Sequence, residues 1–138
     1  MKNIILYLFL LTSCFSFSQK IEGRWIGPKQ NISEITVISK GNDGKGMSEL
    51  LQFEFAIRGI DVKTQSNFNE NTTINVETVK SKHALTFSYT YANGGWLYSL
   101  NVFIYDVEND GKLVGSFRWK GVKGAKKMAA KMVDKILQ

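Results

Sequence analysis

Residues 83–105 read HALTFSYTYANGGWLYSLNVFIY, and their alternation decides how the rest of the chain is read. His83, Leu85, Phe87, Tyr89 and Tyr91 alternate with Ala84, Thr86, Ser88 and Thr90. Beyond Asn93-Gly94, Trp96, Tyr98, Leu100, Val102 and Ile104 alternate with Leu97, Ser99, Asn101 and Phe103. A period of two gives a strand one apolar face and one hydroxyl-rich face. Asn-Gly between two such runs is a strong hairpin signal, because both central positions of a type I′ turn need φ > 0. A two-residue turn there pairs Tyr91 with Trp96, Tyr89 with Tyr98 and Phe87 with Leu100, with the large side chains stacked on one side.

Outward from this hairpin, turn signals bound further extended runs. Ile21 to Gly27 is closed by Pro28, and Ile32 to Lys40 ends at Asn42-Asp43-Gly44. Met47 to Ile57 sets Leu51, Phe53, Phe55 and Ile57 against Gln52, Glu54, Ala56 and Arg58. Ile60 to Phe68 and Thr72 to Lys80 follow, the latter alternating Ile74 and Val76 against Thr73, Asn75 and Glu77. Asn109-Asp110-Gly111 then turns into Lys112 to Lys120, where a two- or three-residue loop fits equally and leaves the register open. The reading is mainly β: about eight short strands in an antiparallel up-and-down meander. Closure into a barrel follows, because a closed sheet has no bare edges.

The end of the chain differs in kind. Ala125, Met128, Ala129, Met132, Val133, Ile136 and Leu137 recur at helical spacing, with Lys126, Lys127, Lys131, Asp134 and Lys135 on the other face. This predicts an amphipathic helix over 124–138 whose apolar stripe packs on the barrel. Its lysines are candidates for contact with an anionic membrane surface.

The beginning has the layout of a secretory signal. Met1-Lys2-Asn3 is a short basic head, Ile4 to Leu11 an apolar run, and Thr12 to Ser18 a small-residue tail. The apolar run is too short to span a bilayer. Cleavage before Gln19 leaves a single domain over 19–138, secreted or periplasmic. In the alternative, Leu11-Thr12-Ser13-Cys14 resembles the lipobox of bacterial lipoproteins, where Cys14 would carry the lipid anchor in the cell envelope. Cys14 is the only cysteine, so no disulfide forms within the chain and stability must come from the core. With 43% hydrophobic residues, the domain can build one.

Gly23-Arg24-Trp25 in the first strand, Arg118 in the last and a trailing helix together resemble the lipocalin/calycin pattern. That resemblance implies a barrel whose floor is capped by Trp25 of the Gly23-x-Trp25 motif, with Arg118 stacking over the indole. It also implies binding of a small hydrophobic or amphipathic ligand.

Charge is unevenly spread. Residues 19–111 hold nine Lys/Arg and eleven Asp/Glu, a net of −2, whereas residues 112–138 hold eight Lys/Arg and one Asp, a net of +7. The basicity belongs to the last strand and tail, which argues against general nucleic-acid binding and directs attention to the C-terminus.

Catalytic chemistry has little to stand on. His83 is the only histidine and reads as a strand-end residue, since one imidazole without clustered partners makes a poor metal site. Asp106-x-Glu108-x-Asp110-Gly111 begins like a calcium loop, but the closing position is Phe117, so the EF-hand pattern fails. Nothing in the spacing of Glu49, Glu54, Glu77 and Asp106 singles out an acid/base pair. No catalytic residue, metal or cofactor is expected. The leading expectation is a non-catalytic binding barrel. Burial at roughly 25 cal/mol per Å² favours the aromatic face inward, where Phe53, Phe55, Phe87, Tyr89, Trp96 and Tyr98 line the interior and Arg58 meets a ligand's polar group. If those rings fill it, the protein is an envelope interaction module instead. A small barrel enzyme is a third class.

Overall fold

A computed structural model describes residues 20–40, 43–67, 74–91 and 96–138. Six strands are present among them: β1 (Ile21–Trp25), β2 (Glu34–Lys40), β3 (Asp61–Asn67), β4 (His83–Tyr91), β5 (Trp96–Asp106) and β6 (Lys112–Gly124). Two helices accompany them, α1 (Met47–Ala56) and α2 (Ala125–Leu137), with a 3-10 turn at Val76–Thr78. The strands form one sheet in the order β1-β6-β5-β4-β2-β3. β2 runs parallel to both β3 and β4, and the other pairs are antiparallel.

The expected closed barrel of eight antiparallel strands is therefore corrected to an open, six-stranded mixed sheet. The physical reason lies in Met47–Ala56, expected as a strand. Its residues Met, Glu, Leu, Gln and Ala are good helix formers and carry no β-branched side chain. The Asp43 carboxylate accepts hydrogen bonds from the Met47 amide at 2.9 Å and the Ser48 amide, satisfying donors that a helix start leaves bare. Met47, Leu51 and Phe55 then fall on one buried stripe, while Phe53 and Ile57 face solvent. As a helix, the segment becomes the crossover that parallel β2 and β3 require.

Both helices cover the same face of the sheet and touch each other. Ile35, Val37, Leu85, Val102, Ile104, Phe117 and Trp119 are buried there against Met47, Leu51 and Phe55 of α1 and Met128, Met132, Val133 and Ile136 of α2. The helices thus bury the apolar face that closure would otherwise have buried. The other face is the hydroxyl-rich one. Thr90 and Ser99 hydroxyls meet at 2.7 Å across β4 and β5, and Asn101 donates to Ser88 at 3.4 Å, all toward water. At one end of this face the segment around the 3-10 turn packs Val79 on Ile38 and Ala84. The Thr72–Lys80 strand is corrected accordingly: its described part is the turn, and residues 71–73 lie outside the described set.

The β4–β5 pair forms, but two residues out of the expected step at Phe87 and Tyr89 and one residue out at Tyr91. Phe87 pairs with Val102, Tyr89 with Leu100 and Tyr91 with Leu97. Irregularities at Thr90/Tyr91 and Leu97/Ser99 change the facing of β5. Leu97 enters the core, whereas Trp96 and Tyr98 are 54% and 50% exposed. Asn93-Gly94 lies outside the described residues. In the last hairpin, Asp110 and Gly111 adopt φ of 55° and 66°, Asp106 pairs with Lys112, and the register left open is thereby fixed.

Candidate functional site

The C-terminal helix α2 carries four lysines and one aspartate in 13 residues. α2 buries Met128, Ala129, Met132, Val133 and Ile136, each contributing about 1–3 kcal/mol of burial. Lys127, Lys131 and Lys135 stand four residues apart and so form a row on one flank, with Lys126 on the opposite flank. Like charges at that spacing cost only about 0.2–0.5 kcal/mol per pair, so packing holds the helix against the repulsion.

β6 runs straight into α2 and sets Lys123 beside that row. The Lys123 ammonium lies 5.0 Å from the centre of the Trp119 ring, and the Lys131 ammonium lies 5.9 Å from the same ring. Trp119 is 1% exposed and donates its indole hydrogen to the Gly121 carbonyl at 3.2 Å. The neighbouring Lys131 ammonium holds Lys123 below the ordinary lysine pKa. Desolvation and the charges of Lys131 and Lys127 add to this. Next to this cluster, a surface recess of about 420 Å³ opens between the start of β1 and α2. Lys20, Ile21, Trp119, Lys131, Asp134, Lys135 and Gln138 line it.

Arg58, expected at a ligand mouth, instead ties the helices together. It donates to the Glu54 carboxylate at 2.6 Å and pairs with Asp134 of α2 at 2.6 Å. It also reaches the Ala130 carbonyl at 3.4 Å. The hydrogen bond that Arg58 donates to Glu54, itself 4% exposed, leads the causes that raise the Arg58 pKa.

The other expected ligand residues do not gather around one cavity. Phe53 faces solvent on α1, while Phe55 and Phe87 are in the core. Tyr89 stacks on Phe87 with centroids 6.2 Å apart, and Trp96 and Tyr98 lie out of the core. With the sheet open there is no barrel floor. Trp25 packs edge-on against Phe117 at 5.6 Å, and Gly23 sits beside the Phe117 backbone. Arg118 is exposed and in register with Glu22, so it does not stack over Trp25. Residues 1–18, with Cys14, lie outside the described residues. His83 is 6% exposed, and its Nδ1 has no hydrogen-bond partner among the described residues. Among those residues, no three His, Cys, Asp or Glu side chains converge as a metal ion would need, and no helix is long and apolar enough to cross a membrane.

No family model matches this chain, and no curated protein sequence does. Solved structures share its fold. PelC from Paraburkholderia phytofirmans, a dodecamer in two crystal forms, matches with TM-scores of 0.59 and 0.58 at 16% and 15% identity. The match covers 86% of this chain and 95% and 94% of those chains. TolB from Acinetobacter baumannii matches with a TM-score of 0.51 at 10% identity, over 86% of this chain and 31% of that one. A looser likeness, at a TM-score of 0.44 and 15% identity, links 75% of this chain to 96% of lipoprotein GNA1162 from Neisseria meningitidis. The lysine row was legible beforehand from its four-residue spacing. Lys20, Lys123 and the Trp119 platform were not, because only the β1–β6–α2 packing brings them to it.

Proposed function

We propose that this protein is an exported, non-catalytic module of the cell envelope that rests on anionic bilayer surfaces through the lysine flank of α2. The observation that carries this reading is the division of labour within α2. Its apolar stripe is wholly engaged in the core, so the helix has no free greasy face to insert. What it offers outward is charge. Each lysine near an anionic surface contributes about 1 kcal/mol, so Lys127, Lys131 and Lys135 together with neighbouring Lys20 and Lys123 give a dissociation constant on the order of 0.1 mM. Such an attachment is reversible and suits a protein with a second anchor, as the lipobox-like Cys14 would supply. A carrier of apolar molecules finds less support, because the helix-side face of the sheet is packed with side chains.

Co-sedimentation of the purified protein with phosphatidylcholine vesicles, with and without phosphatidylglycerol, tests the reading. Binding is expected only with the anionic lipid, and it should fall away as salt screens the surface. Equal recovery with neutral vesicles, or no recovery with either, overturns it. Deletion of residues 124–138 would mislead, since it strips five buried side chains from the core.

A second reading is self-assembly. Among the described residues β1 and β3 each pair on one side only, Trp96, Tyr98 and Val122 are half-exposed, and the similarly folded PelC is a dodecamer. Sedimentation velocity checks it: a single species at the monomer mass across concentrations removes it.

A further inference from the structure

The membrane-facing reading treats the lysines as a diffuse field, but their arrangement is more particular. Lys127, Lys131 and Lys135 share one flank, and Lys123 approaches Lys131 from β6. Two of them stand over one indole. The recess beside that indole adds Lys20 from the start of β1. Its acidic side chain, Asp134, is already held by Arg58 at 2.6 Å, so its charge opposes an incoming anion weakly. At about 420 Å³ the recess lies within the size range of small-molecule sites.

Resting on the function proposed above, we infer that this recess is a binding site for a phosphate group. Lys20, Lys131 and Lys135 contact its oxygens, Lys123 and Lys127 stand at the rim, and Trp119 forms the floor. Ammonium groups are compact donors suited to phosphate oxygens, and the buried Trp119 ring holds two of them in place from below. That phosphate belongs either to a lipid headgroup or to a soluble ester, and the chemistry of recognition is the same.

The test is a titration of the purified protein with inorganic phosphate, followed by NMR at the Trp119 indole. The same protein is then mixed with vesicles of phosphatidylcholine and phosphatidic acid. Phosphate should shift the Trp119 signal where chloride at matched ionic strength does not. Lys131→Ala should weaken phosphate and vesicle binding about thirtyfold, the worth of a charge-assisted hydrogen bond. Lys126→Ala removes the same charge from the opposite flank and should cost about fivefold at most, the worth of one diffuse lysine. Both residues are exposed, so both variants should fold. Equal losses from the two variants, or equal shifts with chloride, overturn the site and leave the surface-binding function standing. A phosphate shift without vesicle binding keeps the site, assigns it to a soluble ester and overturns the membrane reading. Lys131-dependent vesicle binding assigns it to a headgroup.

Discussion

Tyr89 donates its hydroxyl hydrogen to Asp43 Oδ1 across 2.6 Å, and the same carboxylate caps the first amides of α1. One side chain of β4 thereby fixes the loop that starts the crossover helix. Tyr89→Phe should lower unfolding stability by about 1.5 kcal/mol, and Asp43→Ala by at least about 1 kcal/mol, both read from urea denaturation. Because the two share one bond, the double variant should lose less than the sum.

The same pair sets an alkaline limit. Burial, then the Asp43 carboxylate, raises the Tyr89 pKa from 10.0 to about 12. The native state therefore keeps this proton at pH values where the unfolded chain has released it. Its contribution is complete below pH 10 and is lost as the pH climbs through about 12. The decline should be shallower in Tyr89→Phe, and identical alkaline profiles would exclude the coupling.

Arg58 neutralises a carboxylate that has almost no water. Arg58→Ala leaves Glu54 buried without a counter-ion and should cost about 3–5 kcal/mol. Asp134→Ala removes a partner whose side chain is 50% exposed and should cost about 1 kcal/mol or less. A similar loss from both, measured by thermal and urea unfolding, would show that Glu54 is not the group that matters.

Gly23 lets β1 lie against β6. Its φ is 152°, and a Cβ there would stand 2.5 Å from both the Phe117 Cα and the Ser116 carbonyl oxygen. Gly23→Ala should detach the edge strand and cost about 1–3 kcal/mol. Faster hydrogen exchange confined to β1 and its partners on β6 would report it.

His83 Nδ1 is buried without a partner among the described residues, so its desolvation is uncompensated. His83→Leu should be neutral or stabilising by about 1 kcal/mol. A large destabilisation would mean that the imidazole makes a bond in solution after all.

What could be read from the sequence follows the physics of each element. Leu85, Phe87, Val102 and Ile104 announced their shared buried face because half-buried strands alternate strictly, and the hydroxyls of Ser88, Thr90 and Ser99 announced the wet one. Leu51 and Phe55 satisfied both a period of two and a helical stripe, and Phe53 and Ile57 tipped the reading to a strand. The side-chain link from Asp43 to the Met47 amide was the contrary signal. Parallel pairing of β2 with β3 and β4 left no local trace, since a strand buried on one face reads the same in either direction. With that crossover hidden, the alternation alone points to closure, and the ends of the chain resemble a calycin. The lysine row on α2 was visible because helical periodicity is local. Its neighbours Lys20 and Lys123 come from elsewhere in the chain and meet it only through folding.

Lys20 stands at the mouth of β1 and lines the same recess as Lys131 and Lys135. The polypeptide thus enters the folded body on its cationic side. Five residues lie between Cys14 and Lys20, a leash of about 20 Å when fully drawn out. An acyl chain at Cys14 would keep the lysines within reach of the headgroups however the body tumbled, raising their local concentration so that two feeble attachments act as one firm one.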